Sequence, residues 1–195
     1  GAFDPGNVLM FLTGPFTGTT APMSGRTTVC ALGPQGYPHE WFIRGSMGGH
    51  WGPELKYAGY DGVIITGRAE KPVYLWISDG RCEIRDAGHL WGKGTYSTQE
   101  ELLAEHGRGV RVATIGPAGE NLSRIAIINT ETESAVGQGG FGAVMGSKNL
   151  KALVVGGTGA VRVAHPEEFL RRSQIIAQEV GTYGSPGGPG LIDRS

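Results

Sequence analysis

Residues 139–157, GGFGAVMGSKNLKALVVGG, decide how this chain is read, because they restate residues 48–67, GGHWGPELKYAGYDGVIITG. Each stretch runs from a Gly-Gly pair through a short helix-like segment into an apolar, β-branched strand ended by glycine. That is the pattern of a strand bounded by breakers. The strand begins 14 residues after the second glycine in the first copy (Gly49 to Val63) and 13 after it in the second (Gly140 to Leu153). Upstream, each copy has a strand stopped by Gly-Pro: Val8 to Leu12 before Gly14-Pro15, and Val110 to Ile115 before Gly116-Pro117. The spacing between Gly-Pro and Gly-Gly differs, so the repeat predicts a divergent duplication of an α+β unit, rich in strands.

Working outward, Thr27 to Leu32, Trp41 to Arg44, Arg124 to Asn129, Ala152 to Val155 and Val161 to Val163 read as further strands. Gly45 to Gly49 reads as a break, and Gly62 to Gly67 encloses a strand of buried type. Asp79-Gly80, between Val73 to Ser78 and Arg81 to Arg85, predicts a two-residue hairpin. Ser97 and Glu100 have capping-box spacing ahead of a helix ending at Gly107. Pro53 to Ala58 allows one or two helical turns, and Pro166 to Val180 a longer helix. Gly181 to Ser195, rich in Gly, Pro and Ser, reads as a connecting segment.

Composition narrows the function classes. Thirty-five of the 195 residues are glycine, about 18% against roughly 7% in average proteins. No G-X-Y period is present, which excludes collagen, and the apolar runs exclude a disordered linker. A net charge of −1 argues against nucleic acid as a partner. No 18-residue apolar run or secretory signal occurs, so a membrane partner is not expected and a cytoplasmic location is. The five histidines lack metal-ligand spacing, Cys30 and Cys82 form no Cys-x-x-Cys, and Gly146-Ser147-Lys148 lacks the glycine spacing of a phosphate loop. What remains is the glycine loops. Backbone N–H groups at Gly48-Gly49 and Gly139-Gly140 could approach an anion without a Cβ in the way, with Arg26 as a planar bidentate donor. The alternative is that these glycines serve tight turns and sheet packing.

A more specific signal lies in ordered motifs over residues 5–165. They are Gly14-Pro15-x-Thr17-Gly18-Thr19 through Gly25-Arg26, and Gly48-Gly49-x-x-Gly52-x-Glu54-Leu55-Lys56-x-Ala58-Gly59-Tyr60-Asp61. Glu83-Ile84-Arg85-Asp86-Ala87, Ile115-Gly116-Pro117-Ala118-Gly119-Glu120-Asn121 and Gly139-Gly140-x-Gly142-Ala143-Val144-Met145-Gly146-Ser147-Lys148 follow. Together they resemble the N-terminal domain of the aldehyde:ferredoxin oxidoreductases. The resemblance implies a β-rich, pseudo-duplicated cradle for a tungsten (or molybdenum) bis-pterin cofactor, with a magnesium ion linking the pterin phosphates. It implies a 4Fe–4S cluster bound mainly by domains outside this chain.

Carried over by position, Arg26 matches the arginine that bridges a pterin and the cluster. Ser46 and Ala135 match the two residues whose backbone carbonyls bind magnesium. Gly48, with Gly49, falls at one pterin-contacting loop, and Ser134, Gly137 and Gln138, with Gly139 and Gly140, at the other. Ser134 and Gln138 stand where arginines are expected in archaeal members, which implies an altered cofactor environment. Implied partners are an aldehyde, ferredoxin or another electron carrier, and a homodimer or multisubunit assembly. Residues 1–165 read as the cofactor domain, lacking its usual opening portion, and 166–195 as a helix and segment leading to helical domains elsewhere. As a fragment the chain is expected to be inactive alone. Gly48-Gly49-x-Trp51-x-Pro53-Glu54-Leu55-Lys56 resembles class II benzoyl-coenzyme A reductase active-site subunits equally well. A non-catalytic binding module is the remaining alternative.

Overall fold

Apolar residues at every second position fix two sheets in the computed structural model, which describes residues 1–131 and 134–184. The first sheet has the order β3-β2-β1-β4 and is antiparallel throughout: β1 (Leu9–Thr13), β2 (Thr27–Gly33), β3 (Trp41–Met47) and β4 (Gly62–Ile65). The second has the order β6-β5-β10-β7-β8-β9: β5 (Val73–Ser78), β6 (Arg81–Asp86), β7 (Arg111–Thr114), β8 (Ile128–Thr130), β9 (Ser134–Val136) and β10 (Leu150–Gly156). All its pairings are antiparallel except β5 with β10.

These orders show the duplication directly. The helix α1 (Trp51–Tyr57) separates β3 from β4, and α4 (Phe141–Ser147) separates β9 from β10. The unit β1-β2-β3-α1-β4, paired as β3-β2-β1-β4, is therefore repeated as β7-β8-β9-α4-β10, paired as β9-β8-β7-β10. Between the repeats lie the β5–β6 hairpin and α2 (Thr95–His106); α3 (Pro117–Glu120) sits in the Gly-Pro loop after β7.

Both repeat helices pack between the sheets and interlock them. Helix α1 of the first repeat lies on β7 and β10 as well as β1, and α4 of the second lies on β2 as well as β10. Trp51, wholly buried, donates its indole N–H to the Leu153 carbonyl at 3.2 Å and packs against Phe11. Leu9, Phe11, Val29, Leu55, Phe141, Val144, Leu153 and Val155 complete this core, each large side chain contributing about 1.5–3 kcal/mol by burial. The far face of the second sheet is covered by α2 over Tyr74, Val112, Ala152 and Val154. Lys151, also wholly buried, donates to the Lys93 carbonyl and to Glu120, so its charge is compensated inside the core.

The hairpin forms as its sequence predicts, with Asp79 at φ 42° and Gly80 at φ 80°. Six expectations need correction. Strand β3 continues through Gly45 and Ser46 to Met47, because pairing with β2 extends from Gly33↔Trp41 to Thr27↔Met47. Residues 124–127 are not strand: Ala126 N–H closes a turn on Ser123 O, and Arg124 is drawn to Glu40 and Pro34 O. Ser97 lies inside α2, which starts at Thr95 after Gly94, so no capping box forms. Val161–Val163 is irregular, next to a Gly157–Gly159 segment tied to Glu54 and Tyr57. Strand β4 is an edge strand whose Ile64 is 66% exposed, not a buried one. The helix α5 runs Pro166–Gly184, past the expected Val180; residues 185–195 of the connecting segment lie outside the described residues.

Candidate functional site

The free edges of the two sheets, β3 and β9, meet at the junction of the repeats. Gly45 makes this possible. A Cβ there would sit 2.6 Å from Val136 Cγ1 and 3.0 Å from the Phe141 ring, so any side chain would push the edges apart. Ser46 and Ala135 hold the same place in the repeats, each next to last in its strand, and a loop follows each: Gly48-Gly49-His50 and Gly137-Gln138-Gly139-Gly140.

The loop after β3 meets the start of β9, and the loop after β9 meets β3 at Gly45. A Cβ on Gly48 would come 3.3 Å from Ser134 Oγ, and one on Gly137 would meet nothing within 4 Å. Arg26 Nη1 donates to Ser46 Oγ at 3.1 Å, holding the guanidinium over the exposed face of β3. Thus Arg26, Ser46, Gly48, Gly49, Ser134, Ala135, Gly137 and Gln138 gather along one seam. Gly139 and Gly140 are set back from them, with Gly139 lining a cavity beside Gln138 and Arg44. Both are buried with left-handed φ of 109° and 72°, Gly139 N–H donates to Gln35 Oε1 at 2.7 Å, and a Cβ on Gly140 would strike the Arg124 carbonyl. At the helix starts, Gly142 N–H is taken by Ala126 O, and His50 N–H by a carboxylate.

That carboxylate is Glu131, which sequence reading missed. It accepts from His50 N–H at 3.0 Å, lies 3.4 Å from His50 Nδ1 and 3.3 Å from Arg111 Nε, and fills the space above Gly49. The second repeat thereby tethers the loop of the first. Nothing local in residues 128–131 signals this, since the partner lies 81 residues away. Gly45 and Arg44, the latter exposed on the same face of β3 as Ser46, were likewise not singled out.

Elsewhere, the one strongly buried histidine among the described residues is His106, its side chain 5% exposed. It stacks on Trp76 at 4.2 Å and lies 3.0 Å from the Tyr74 hydroxyl, and burial pushes its pKa below the usual imidazole value. This serves the α2 face, remote from the seam. Among the described residues no three His, Cys, Asp or Glu side chains are grouped to hold a metal ion, and no helix is long and apolar enough to cross a membrane.

Duplicated sheets meeting at an open seam of glycine loops define a divergent two-repeat α+β domain. The chain belongs to the aldehyde ferredoxin oxidoreductase N-terminal domain family, whose model matches residues 1–157. It is 49% identical over 180 residues to the tungsten-containing aldehyde ferredoxin oxidoreductase of Pyrococcus abyssi, covering 91% of this chain and 28% of that one. It is 46% identical over 167 residues to the enzyme of the same name from Pyrococcus furiosus, covering 85% of this chain and 27% of the other. Among solved structures, the active site complex BamBC of benzoyl coenzyme A reductase with 1,5-dienoyl-CoA contains a chain matched with a TM-score of 0.89 at 40% identity, over 98% of this chain and 29% of that one. The chain thus spans little more than a quarter of the length of these relatives.

Proposed function

We propose that residues 1–165 are the cofactor-binding part of a tungsten oxidoreductase, with the bis-pterin lying along the β3–β9 seam. The observation that carries this reading is the matched placement of Ser46 and Ala135, one per repeat, at edges that touch. A two-fold ligand, two pterins joined through one magnesium ion, calls for two equivalent backbone sites. The residues present fit such a group. Gly48 and Gly137 leave room for close approach, neither has a left-handed φ, and both border the seam rather than the core.

Within this reading the chain's own residues bind and orient. The carbonyls of Ser46 and Ala135 are the magnesium ligands. Arg26, fixed by Ser46 Oγ, offers a forked donor to a pterin phosphate. Gly48, Gly49, Ser134, Gly137 and Gln138 supply backbone and short polar contacts. Glu131 sets the position of Gly48–His50 from across the seam. When bound, the tungsten bis-pterin supplies two-electron oxidation of an aldehyde and water to a carboxylic acid, the electrons leaving through a 4Fe–4S cluster on other domains to ferredoxin or another carrier. The assembly proposed is a homodimer or multisubunit complex.

A second reading keeps the cradle and changes the reaction to that of a benzoyl-coenzyme A reductase. The match of 98% of this chain to a chain of such a complex favours it, and Ser134 and Gln138 in place of arginines agree with a shifted cofactor environment. The two readings share the test of the cradle. The complete protein, produced with tungstate, is expected to carry one tungsten and two pterins per chain, and Arg26→Ala to lower both severalfold at unchanged melting temperature. Full tungsten and pterin content in Arg26→Ala would remove Arg26 from the cradle. Wild-type protein free of both would refute the reading as a whole.

A further inference from the structure

We propose that Arg44 is a second anion-binding residue of the cradle, receiving a phosphate of the bound cofactor on the side of the Gln138 loop as Arg26 does on the side of Gly48. The inference rests on the cofactor reading above and deepens it.

Strand alternation places the side chain. Met47 and Ile43 of β3 face the core, so Ser46, Arg44 and Phe42 face outward. Arg44 therefore shares a face with Ser46, whose hydroxyl already holds Arg26. Arg44 also lines a cavity of about 390 Å³ with Gln35, Trp41, Gln138 and Gly139, which is in the size range of small-ligand sites.

The lining is chemically one-sided. It comes from Arg44, Gln35, Gln138, Trp41, Ile43 and glycines, and it holds no carboxylate. Gln35 spends its carbonyl oxygen on Gly139 N–H at 2.7 Å and keeps its amide nitrogen for another acceptor. Arg44 itself makes no hydrogen bond or ion pair among the described residues. Three other arginines are engaged, Arg68 by the Phe3 and Ser147 carbonyls, Arg111 by Glu131, Arg124 by Glu40 and Pro34 O, while the exposed Arg81 and Arg162 share Arg44's lack of a partner but line no such cavity. A forked, permanently charged donor left without an acid, beside a cavity lined by two carboxamides and no carboxylate, is matched by a doubly charged oxyanion.

The test uses the complete protein purified with its cofactor, with tungsten and pterin per chain followed during dialysis at low and high salt. Arg44→Ala is expected to release both roughly ten-fold faster than wild type. Arg44→Lys, which keeps the charge and loses the fork, falls between. Arg81→Ala, on the exposed β5–β6 hairpin, releases at the wild-type rate. Equal melting temperatures for all three show that loss is not unfolding. If Arg44→Ala holds tungsten and pterin as long as wild type while Gly48→Val loses them, the Arg44 inference falls and the cradle stands. If Arg44→Lys releases as fast as Arg44→Ala, the fork rather than the charge carries the contact, which still supports the assignment. If wild type itself holds no tungsten or pterin, both fall together.

Discussion

The two repeats share one topology and differ in what covers them. In the second, α2 and the β5–β6 hairpin enclose the sheet, α4 is buried along its whole length, and Lys151 is neutralised internally by Glu120. In the first, the outer face of the sheet stays open, with Phe42 and Ile64 more than half exposed and Arg26 and Ser46 on the surface. The same contrast runs through the glycine loops. Gly139-Gly140 lets α4 pack against the chain near Arg124, whereas a Cβ on Gly48 would meet only Ser134 Oγ, at 3.3 Å. A duplicated unit has thus split its tasks: the second copy is mainly scaffold, and the first presents a surface. Two identical Gly-Gly pairs mark both, and only the surroundings tell them apart.

The largest effect that could break this contrast lies at Gly140. Alanine there takes on a left-handed φ of 72° and drives its methyl group into the Arg124 carbonyl and to within 2.8 Å of Pro34. The expected loss is about 3 kcal/mol, strain and overpacking together, read by denaturant unfolding. Gly48→Ala in the first repeat, whose Cβ would meet only Ser134 Oγ at 3.3 Å, is expected to shift stability by no more than about 0.5 kcal/mol. Equal losses at the two positions would erase the division between scaffold and surface.

A smaller effect sharpens the same contrast through pH. His106 belongs to the enclosed repeat, and burial lowers its pKa in the folded protein. The unfolded chain then takes up the proton first as pH falls, so this contribution is present above the unfolded imidazole value of about 6.5 and is lost below it. Melting temperature is expected to fall between pH 7.5 and 5.5 in wild type and to fall less in His106→Gln. A steeper fall in the variant would contradict the assignment of His106 to the neutral core.

Much of the scaffold was legible because its signals are local. Asp79-Gly80 specifies a turn through two backbone angles, and the Gly-Pro and Gly-Gly stops mark the repeat that pairing order then shows. The seam was legible only through resemblance. That β3 runs through Gly45 depends on its partner β2, and that Glu131 reaches His50 depends on an approach of strands far apart in sequence. Gly45 itself looked like a breaker, yet its missing side chain is what lets β3 and β9 touch. Hydrophobic period and turn chemistry carry no information about which edges will meet.

On the proposed reading, the seam between the repeats holds a two-fold cofactor at matched positions. Gly48→Val and Gly137→Val, made separately in the complete protein, test it from both repeats, because neither backbone position is left-handed and neither Cβ meets the core. Tungsten and pterin per chain, measured beside the melting temperature, should fall steeply in both variants at unchanged stability. Wild-type tungsten and pterin content in both would contradict it.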